Sequence, residues 1–309
     1  MARTISFLAD DDEPHDIMKS IRDRRIENEE KYGKLKLSLE ENTEHLYKIN
    51  IIQKLIANDK SFVNTNTEII WKFKVIENMN DRIVINIICD SYEVKNKPSG
   101  TANLIDFAML FNKPVEELTL ELNQYGNIEK VLNQKSILDK WLLLRNNELG
   151  EYQKDESMKG IFVAGDTEFT NTLQSLKNNI LYILFFDKIY DKVLTANTFI
   201  NDNISLYSKL FQGKLISFNN RQEIQSYNDV QIMNTFKFIP DEKLELKKKY
   251  IVDYKDIIGN DFNYNYTIKS KANYLMTKGI LKSLEAECIE QANDRLFHQT
   301  NYKVELINN

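Results

Sequence analysis

The residue types that most often bind metals or act in catalysis are few and widely spaced in this sequence. Its histidines are His15, His45 and His298, and its cysteines are Cys89 and Cys288. Metal centres and cysteine-based redox sites use such residues at short, recurring spacings, and none of those spacings occurs here. His15 lies beside a run of acids, but a polar arm explains that run as well as a loose metal site does. We therefore predict no metal and no cofactor.

Acidic pairs are the remaining source of chemistry that the sequence offers. Three pairs stand out: Asp90 with Glu93, Glu116 with Glu117, and Glu285 with Glu287. A hydrolase needs two carboxyl groups that converge on one cleft with shifted pKa values, which spacing alone does not establish. Residues 165–168 are Gly-Asp-Thr-Glu at an expected helix start, where ordinary capping competes with an anion site. Catalytic residues are therefore unknown from the sequence.

A row of aromatic residues is the best candidate for an interaction surface. Phe262, Tyr264, Tyr266 and Tyr274 fall in one strand-like stretch. A tyrosine buries a large ring while keeping a polar tip, so such a row suits a protein-binding surface. A buried strand whose rings pack against neighbouring strands has the same pattern. We predict these four as partner-binding residues, with core packing as the alternative.

Charge and hydropathy lower the expectation for several partners. The net charge of the chain is −5, whereas a nucleic-acid-binding protein usually presents a basic face. Basic residues in 19–34 alternate with acids, which is typical of a solvated helix face. No stretch approaches the roughly 20 apolar residues that span a bilayer, and the N-terminus lacks the pattern of a secretory signal. We expect a cytoplasmic protein that binds neither nucleic acid nor anionic membrane surfaces and does not insert into a membrane.

Apolar residues at every second position predict strands in the first half of the chain. The expected strands are 35–39, 45–56, 68–77, 82–94, 118–122 and 128–131. The last two form a hairpin in which Gly126 tolerates a positive φ. A short helix is expected over 101–112. Ser136, with Asp139 three residues later, is expected to cap a second helix that places Trp141 in the core.

One long helix and a second group of strands are predicted after a polar boundary at 150–160. Residues 165–191 read as a single buried helix that Asp166 or Thr167 caps. Strands are expected at 234–240, 249–255, 262–272 and 301–307, and a hairpin with Lys278-Gly279 in its turn within 273–287.

These elements predict an α+β fold with two β-rich segments of mainly antiparallel meander sheet, flanked and bridged by helices. The expected parts are an acidic arm and short helix (1–33), a first β-rich domain with packed helices (34–150), a linker with a long buried helix (151–210) and a second β-rich segment (211–309).

Two functions of different class remain open, and we recognise no family motif that decides between them. The first is a non-enzymatic adaptor that binds a protein or peptide partner, such as a chaperone-like component of a larger assembly. The second is a hydrolase whose acid/base site forms only in the fold. A concave pocket with buried acids and a histidine favours the hydrolase. The oligomeric state is unknown from the sequence.

Overall fold

The structure, a computed structural model, describes residues 37–79, 81–97, 100, 102–186, 189–190, 200–226, 230–240, 243–275 and 277–307. The predicted helix within residues 14–32 and the candidate His15 lie outside these ranges.

Long antiparallel strands occupy the first part of the described chain, as the alternation predicts. They are β1 (Glu44–Ala57), β2 (Lys60–Asn78), β3 (Arg82–Val94), β4 (Glu117–Asn123) and β5 (Ile128–Val131). The β2–β3 and β4–β5 hairpins are confirmed, and Gly126 in the second turn has a φ of 99°. Leu37 and Leu39 are buried, but of residues 37–39 only Leu37 makes a bridge, to Tyr190.

A second meander follows toward the C-terminus. Its strands are β6 (Ile200–Tyr207), β7 (Leu215–Ser226), β8 (Val230–Phe238), β9 (Asn265–Leu275), β10 (Ile280–Asn293) and β11 (Leu296–Leu306). The predicted hairpin around Lys278-Gly279 joins β9 to β10. The prediction of a strand at 249–255 is wrong, because that segment is helical.

The eleven strands form one antiparallel sheet rather than two separate segments. Their order is β5-β4-β3-β2-β1-β11-β10-β9-β8-β7-β6, so the two meanders meet where β1 pairs with β11. Ile49 lies opposite Val304 at this junction. The α+β class and the antiparallel pairing are confirmed, whereas the division into two β-rich segments is not. Sequence alternation identifies strands but does not show that the first and last strands are neighbours.

Helices connect the two meanders and pack on one face of the sheet. They are α1 (Ala102–Leu110), α2 (Gln134–Asn147), α3 (Lys159–Thr170), α4 (Thr172–Lys177) and α5 (Ile180–Phe185), with α6 (Lys243–Asp253) and α7 (Lys255–Ile258) between β8 and β9. Within the described residues, none of the helices is long and apolar enough to cross a membrane.

Two local predictions about these helices are wrong. The expected single helix over 165–191 is three short helices, because Asn171 and Asn179 each cap a new helix with their side-chain oxygen. Asp166 and Thr167 lie inside α3 and cap nothing. Ser136 also lies inside a helix, since α2 already begins at Gln134.

Aromatic side chains from α5 and the sheet form the centre of the core. Phe185 lies 5.0 Å from Tyr47, 5.5 Å from Trp71 and 5.7 Å from Phe73, measured between ring centroids. Aromatic pairs of this kind contribute about 0.5–1.5 kcal/mol each beyond the area they bury. The buried positions predicted for Trp71 and Trp141 are confirmed. The helices therefore fill the space that the curved sheet encloses.

Candidate functional site

The two edges of the sheet meet at one cavity. Its volume is about 540 Å³, and it is bounded by β5 at one edge of the sheet and by β6 and β7 at the other. Strands at opposite edges of an eleven-stranded sheet line one cavity only if the sheet curls around the helices between them. Here α4 and α5 form the remaining wall. We refer to this space as the inter-edge cavity; its size is typical of small-ligand sites.

Carboxamide side chains dominate the polar lining of the inter-edge cavity. Six of them come from five different elements or turns: Asn127, Gln174, Asn178, Asn203, Asn220 and Gln222. Apolar or aromatic side chains also line the cavity, namely Ile128, Leu176, Tyr182, Ile183, Phe186 and Ile204, as do Ser205 and the charged Glu129 and Lys177. A carboxamide both donates and accepts hydrogen bonds and carries no charge. Most of the lining therefore suits a ligand that has neutral donors and acceptors beside apolar groups, and Glu129 and Lys177 add one charge of each sign.

Two of these carboxamides have a buried polar atom without a hydrogen-bond partner. They are Nδ2 of Asn178, a donor, and Oδ1 of Asn220, an acceptor. Asn220 uses its Nδ2 to donate to Oδ1 of Asn234 over 3.4 Å. Buried polar atoms are nearly always paired, and leaving one unpaired costs about 1–3 kcal/mol. The unpaired donor lies on the helical wall and the unpaired acceptor on β7, and these are the two kinds of group that an amide pairs with.

The break between α4 and α5 positions Asn178. Its backbone N–H donates to the carbonyl of Gln174 and ends α4, while the side chain of Asn179 accepts from the N–H of Leu181 and begins α5. Two successive asparagines thus turn the chain within the concave face of the sheet. The sequence offers Asn178-Asn179 as a break signal, which the interpretation of 165–191 as one apolar helix overlooked.

A second, smaller cavity adjoins the first at Asn178. It has a volume of about 160 Å³, and Glu168, Lys209 and Tyr266 are among its lining residues. Burial raises the pKa of the Glu168 carboxyl, and the Lys209 ammonium acts in the opposite direction. We refer to this space as the lysine chamber.

The predicted tyrosine row lies on the concave face of the sheet and is mostly buried. Tyr264 and Tyr266 are each 3% exposed and Tyr274 is fully buried, while Phe262 is half-buried against Tyr250. This placement agrees with the core-packing alternative. Only Tyr266 borders a cavity, the lysine chamber. Partner binding by these residues stays a prediction, and it requires a ligand that enters the concave face.

Glu290 is a buried acid that sequence reasoning missed. Its carboxyl oxygens accept hydrogen bonds from the hydroxyls of Ser208 and Tyr264 and from the backbone N–H groups of Lys209 and Leu210. Burial raises its pKa, and these donors oppose that rise. Alternation along β10 puts Glu290 on the same face as buried Cys288, which was the available signal.

His298 lies directly opposite Glu290 in the β10–β11 register. Burial lowers the pKa of its imidazole to about 4, with a further contribution from Lys209. The ring is therefore neutral near pH 7. Sequence reasoning named this histidine but did not place it beside an acid.

One of the predicted acid pairs, Glu285 with Glu287, lines an open pocket of about 400 Å³. Asp90 forms an ion pair with Lys72, Glu93 with Lys95, and Glu285 and Glu287 are exposed on the outer face of the sheet. The two thiols are poor nucleophiles, since burial raises the pKa of Cys89 to about 11 and that of Cys288 to about 12. Among the residues that the structure describes, no three acids, histidines or cysteines cluster as metal ligands. The helix start expected at 165–168, and with it the anion site, is not present.

Comparison with known proteins identifies no family. No protein-family model and no curated protein sequence matches the chain. One similar solved structure is that of lipovitellin, described for its lipid–protein interactions; it is 10% identical with a TM-score of 0.42, and the match covers 88% of this chain and 26% of that one. Another is an outer membrane channel from Pseudomonas putida F1, which is 6% identical with a TM-score of 0.18. That match covers 89% of this chain and 98% of the channel. This chain thus spans about a quarter of the lipovitellin chain. At these scores and identities, neither likeness supports a statement about function.

Proposed function

We propose that this chain is a non-enzymatic binding protein that holds an extended peptide segment of a partner in the inter-edge cavity. The observation that carries the proposal is the unpaired donor of Asn178 and the unpaired acceptor of Asn220, which line the same carboxamide-rich cavity from the helices and from β7. A peptide bond supplies one C=O and one N–H, which match these two atoms. The cytoplasm stays the predicted compartment.

An edge strand beside the cavity favours an extended peptide over other amide ligands. β6 is the last strand of the sheet, so one of its sides pairs with no other strand in the described chain. Asn203, Ile204 and Ser205 of β6 line the cavity. Addition of a peptide strand to a sheet edge uses main-chain hydrogen bonds for affinity, and adjacent pockets then select side chains. The apolar wall of α5 supplies such contacts through Tyr182, Ile183 and Phe186.

An acid/base hydrolase is the second candidate, and the opposition of Glu290 and His298 on the concave face favours it. Four donors already occupy the oxygens of Glu290, and neither residue lines the inter-edge cavity or the lysine chamber. A carboxylate that is engaged in this way orders the segment Ser208–Leu210 rather than taking a proton from a substrate. Hydrolysis of peptides by the purified protein would favour the hydrolase instead if His298→Gln abolished it.

The experiment incubates the purified chain with a pool of short N-acetylated random peptides, separates bound from free peptide by size exclusion, and identifies the retained peptides by mass spectrometry. We expect a subset to be retained unchanged. Asn220→Ala should weaken binding of the retained peptides about threefold to tenfold, the usual effect of one neutral hydrogen bond.

The matched control is Asn219→Ala, which removes the neighbouring carboxamide on the exposed side of the same strand. It should leave peptide affinity unchanged. Retention of no peptide, or equal weakening by the two substitutions, would contradict the proposal.

A further inference from the structure

The lysine chamber contains a cation that the fold leaves without an ion-pair partner. Within the described residues, no carboxylate forms an ion pair with the ammonium of Lys209, although its backbone N–H is bound to Glu290. Lys209 is exposed and borders the lysine chamber, which adjoins the inter-edge cavity at Asn178. Its charge also acts on the pKa values of Glu168, Cys288 and His298.

Strand β6 connects this cation to the inter-edge cavity. Its residues Asn203–Ser205 line the larger cavity, and Leu206, Tyr207 and then Lys209 line the lysine chamber. A strand advances about 3.3 Å per residue, so a peptide paired with β6 runs past Ser205 to Tyr207, where the strand ends, and Lys209 follows two residues later in the chain. A peptide that runs parallel to β6 ends with its C-terminus at Lys209, whereas an antiparallel peptide brings a side chain there.

We propose that the lysine chamber binds a carboxylate of the peptide held along β6, with Lys209 as the cationic partner. This inference rests on the proposed function and adds the class of peptide to it. Asn178, which lines both cavities and has an unpaired Nδ2, provides a second donor at the junction. A charge-assisted hydrogen bond is about twice as strong as a neutral one, so the carboxylate gives the ligand its direction and selectivity. Glu168 borders the same chamber; burial raises the pKa of its carboxyl, and the Lys209 ammonium lowers it.

Two peptide pools that differ only at the C-terminus test the inference. Both are N-acetylated and random in sequence; one carries free acids and the other C-terminal amides. We expect the free acids to be retained about tenfold more strongly than the amides. If the carboxylate instead comes from a side chain, the amide pool is retained equally but is enriched in Asp and Glu. Either result supports a carboxylate subsite and identifies its source.

Lys209→Met removes the charge and keeps most of the aliphatic stem. It should abolish the preference for free acids, or the enrichment of Asp and Glu, while binding of neutral peptides persists. The control is Lys237→Met, which changes an exposed lysine on the outer side of β8. It should alter neither the acidic preference nor the binding of neutral peptides. Retention of both pools with no acidic preference overturns the carboxylate subsite alone. Retention of neither pool overturns the peptide-binding function itself.

Discussion

At the scale of single residues, the concave face contains polar groups that the fold needs and others that it leaves unsatisfied. Glu290 belongs to the first kind, because it gathers four donors and holds Ser208–Leu210 against β10. Asn178 and Asn220 belong to the second. Sequence patterns identified neither kind, because whether a buried polar atom has a partner depends on strands and helices distant in sequence. Alternation did place Trp71 and Trp141 correctly in the core, since burial of large apolar rings follows directly from strand and helix periodicity.

His298 should make stability depend on pH. Its pKa in the folded chain is about 4 against an ordinary value of 6.5, so folding favours the neutral ring. The resulting stability is fully present above pH 6.5 and is lost as the pH falls toward 4. The loss from this one group is at most about 3 kcal/mol. A glutamine side chain does not titrate. In His298→Gln the free energy of unfolding should therefore fall less steeply with decreasing pH than in the wild type.

Urea unfolding at neutral pH and at several lower values measures this difference. His45, whose pKa burial also lowers, is present in both proteins and cancels from the comparison. Identical pH profiles for the wild type and His298→Gln would show that the imidazole is not desolvated in the folded chain.

At the scale of elements, strands and turns followed from local patterns better than helix boundaries did. The β2–β3 and β9–β10 hairpins follow from alternation and turn residues alone. Residues 165–191 were expected to form one long helix because the second half of that segment is apolar nearly all round. Asparagine caps at 171 and 179 divide it, and the short helices then fit inside the curved sheet. Residues 249–255 read as a strand because Tyr250, Val252 and Tyr254 alternate, although Val252 is exposed and the helix Lys243–Asp253 covers most of the segment.

The β9–β10 turn depends on Gly279. This residue has a φ of 64°, and a Cβ there would overlap the backbone carbonyl of Ser38. Gly279→Ala should therefore lower the free energy of unfolding by about 2 kcal/mol or more, from strained backbone together with steric overlap.

Two further glycines provide matched controls in the same urea titrations. Gly213 has a φ of 75°, and a Cβ there would meet no nearby atom. Gly213→Ala therefore strains the backbone without steric overlap and should lower the free energy of unfolding by about 1 kcal/mol. Gly160→Ala, at an open helical position, should be neutral or slightly stabilising. Equal effects of all three substitutions would mean that residue 38 does not pack against the turn.

At the scale of the whole molecule, the first and last strands in the chain, β1 and β11, are neighbours at the centre of one sheet. The two edges of that sheet, β5 and β6, meet at a cavity. The sequence showed two runs of strands separated by helices. It could not show that β1 pairs with β11, because no local pattern records which strands become neighbours. The inter-edge cavity follows from the same long-range arrangement, since its walls come from residues as far apart as Asn127 and Gln222. For this reason the candidate site could not be predicted from the sequence, although the α+β class could.

The central claim is that a peptide lies between β5 and β6. Hydrogen–deuterium exchange of the chain, with and without a retained peptide, tests it most directly, because backbone amides on a newly paired edge become protected. We expect added protection in Ile200–Tyr207 and in the segment from Asn127 to Val131, with little change in Glu117–Asn123, which is paired on both sides. Protection confined to the outer face or to α6, with β5 and β6 unchanged, would contradict it.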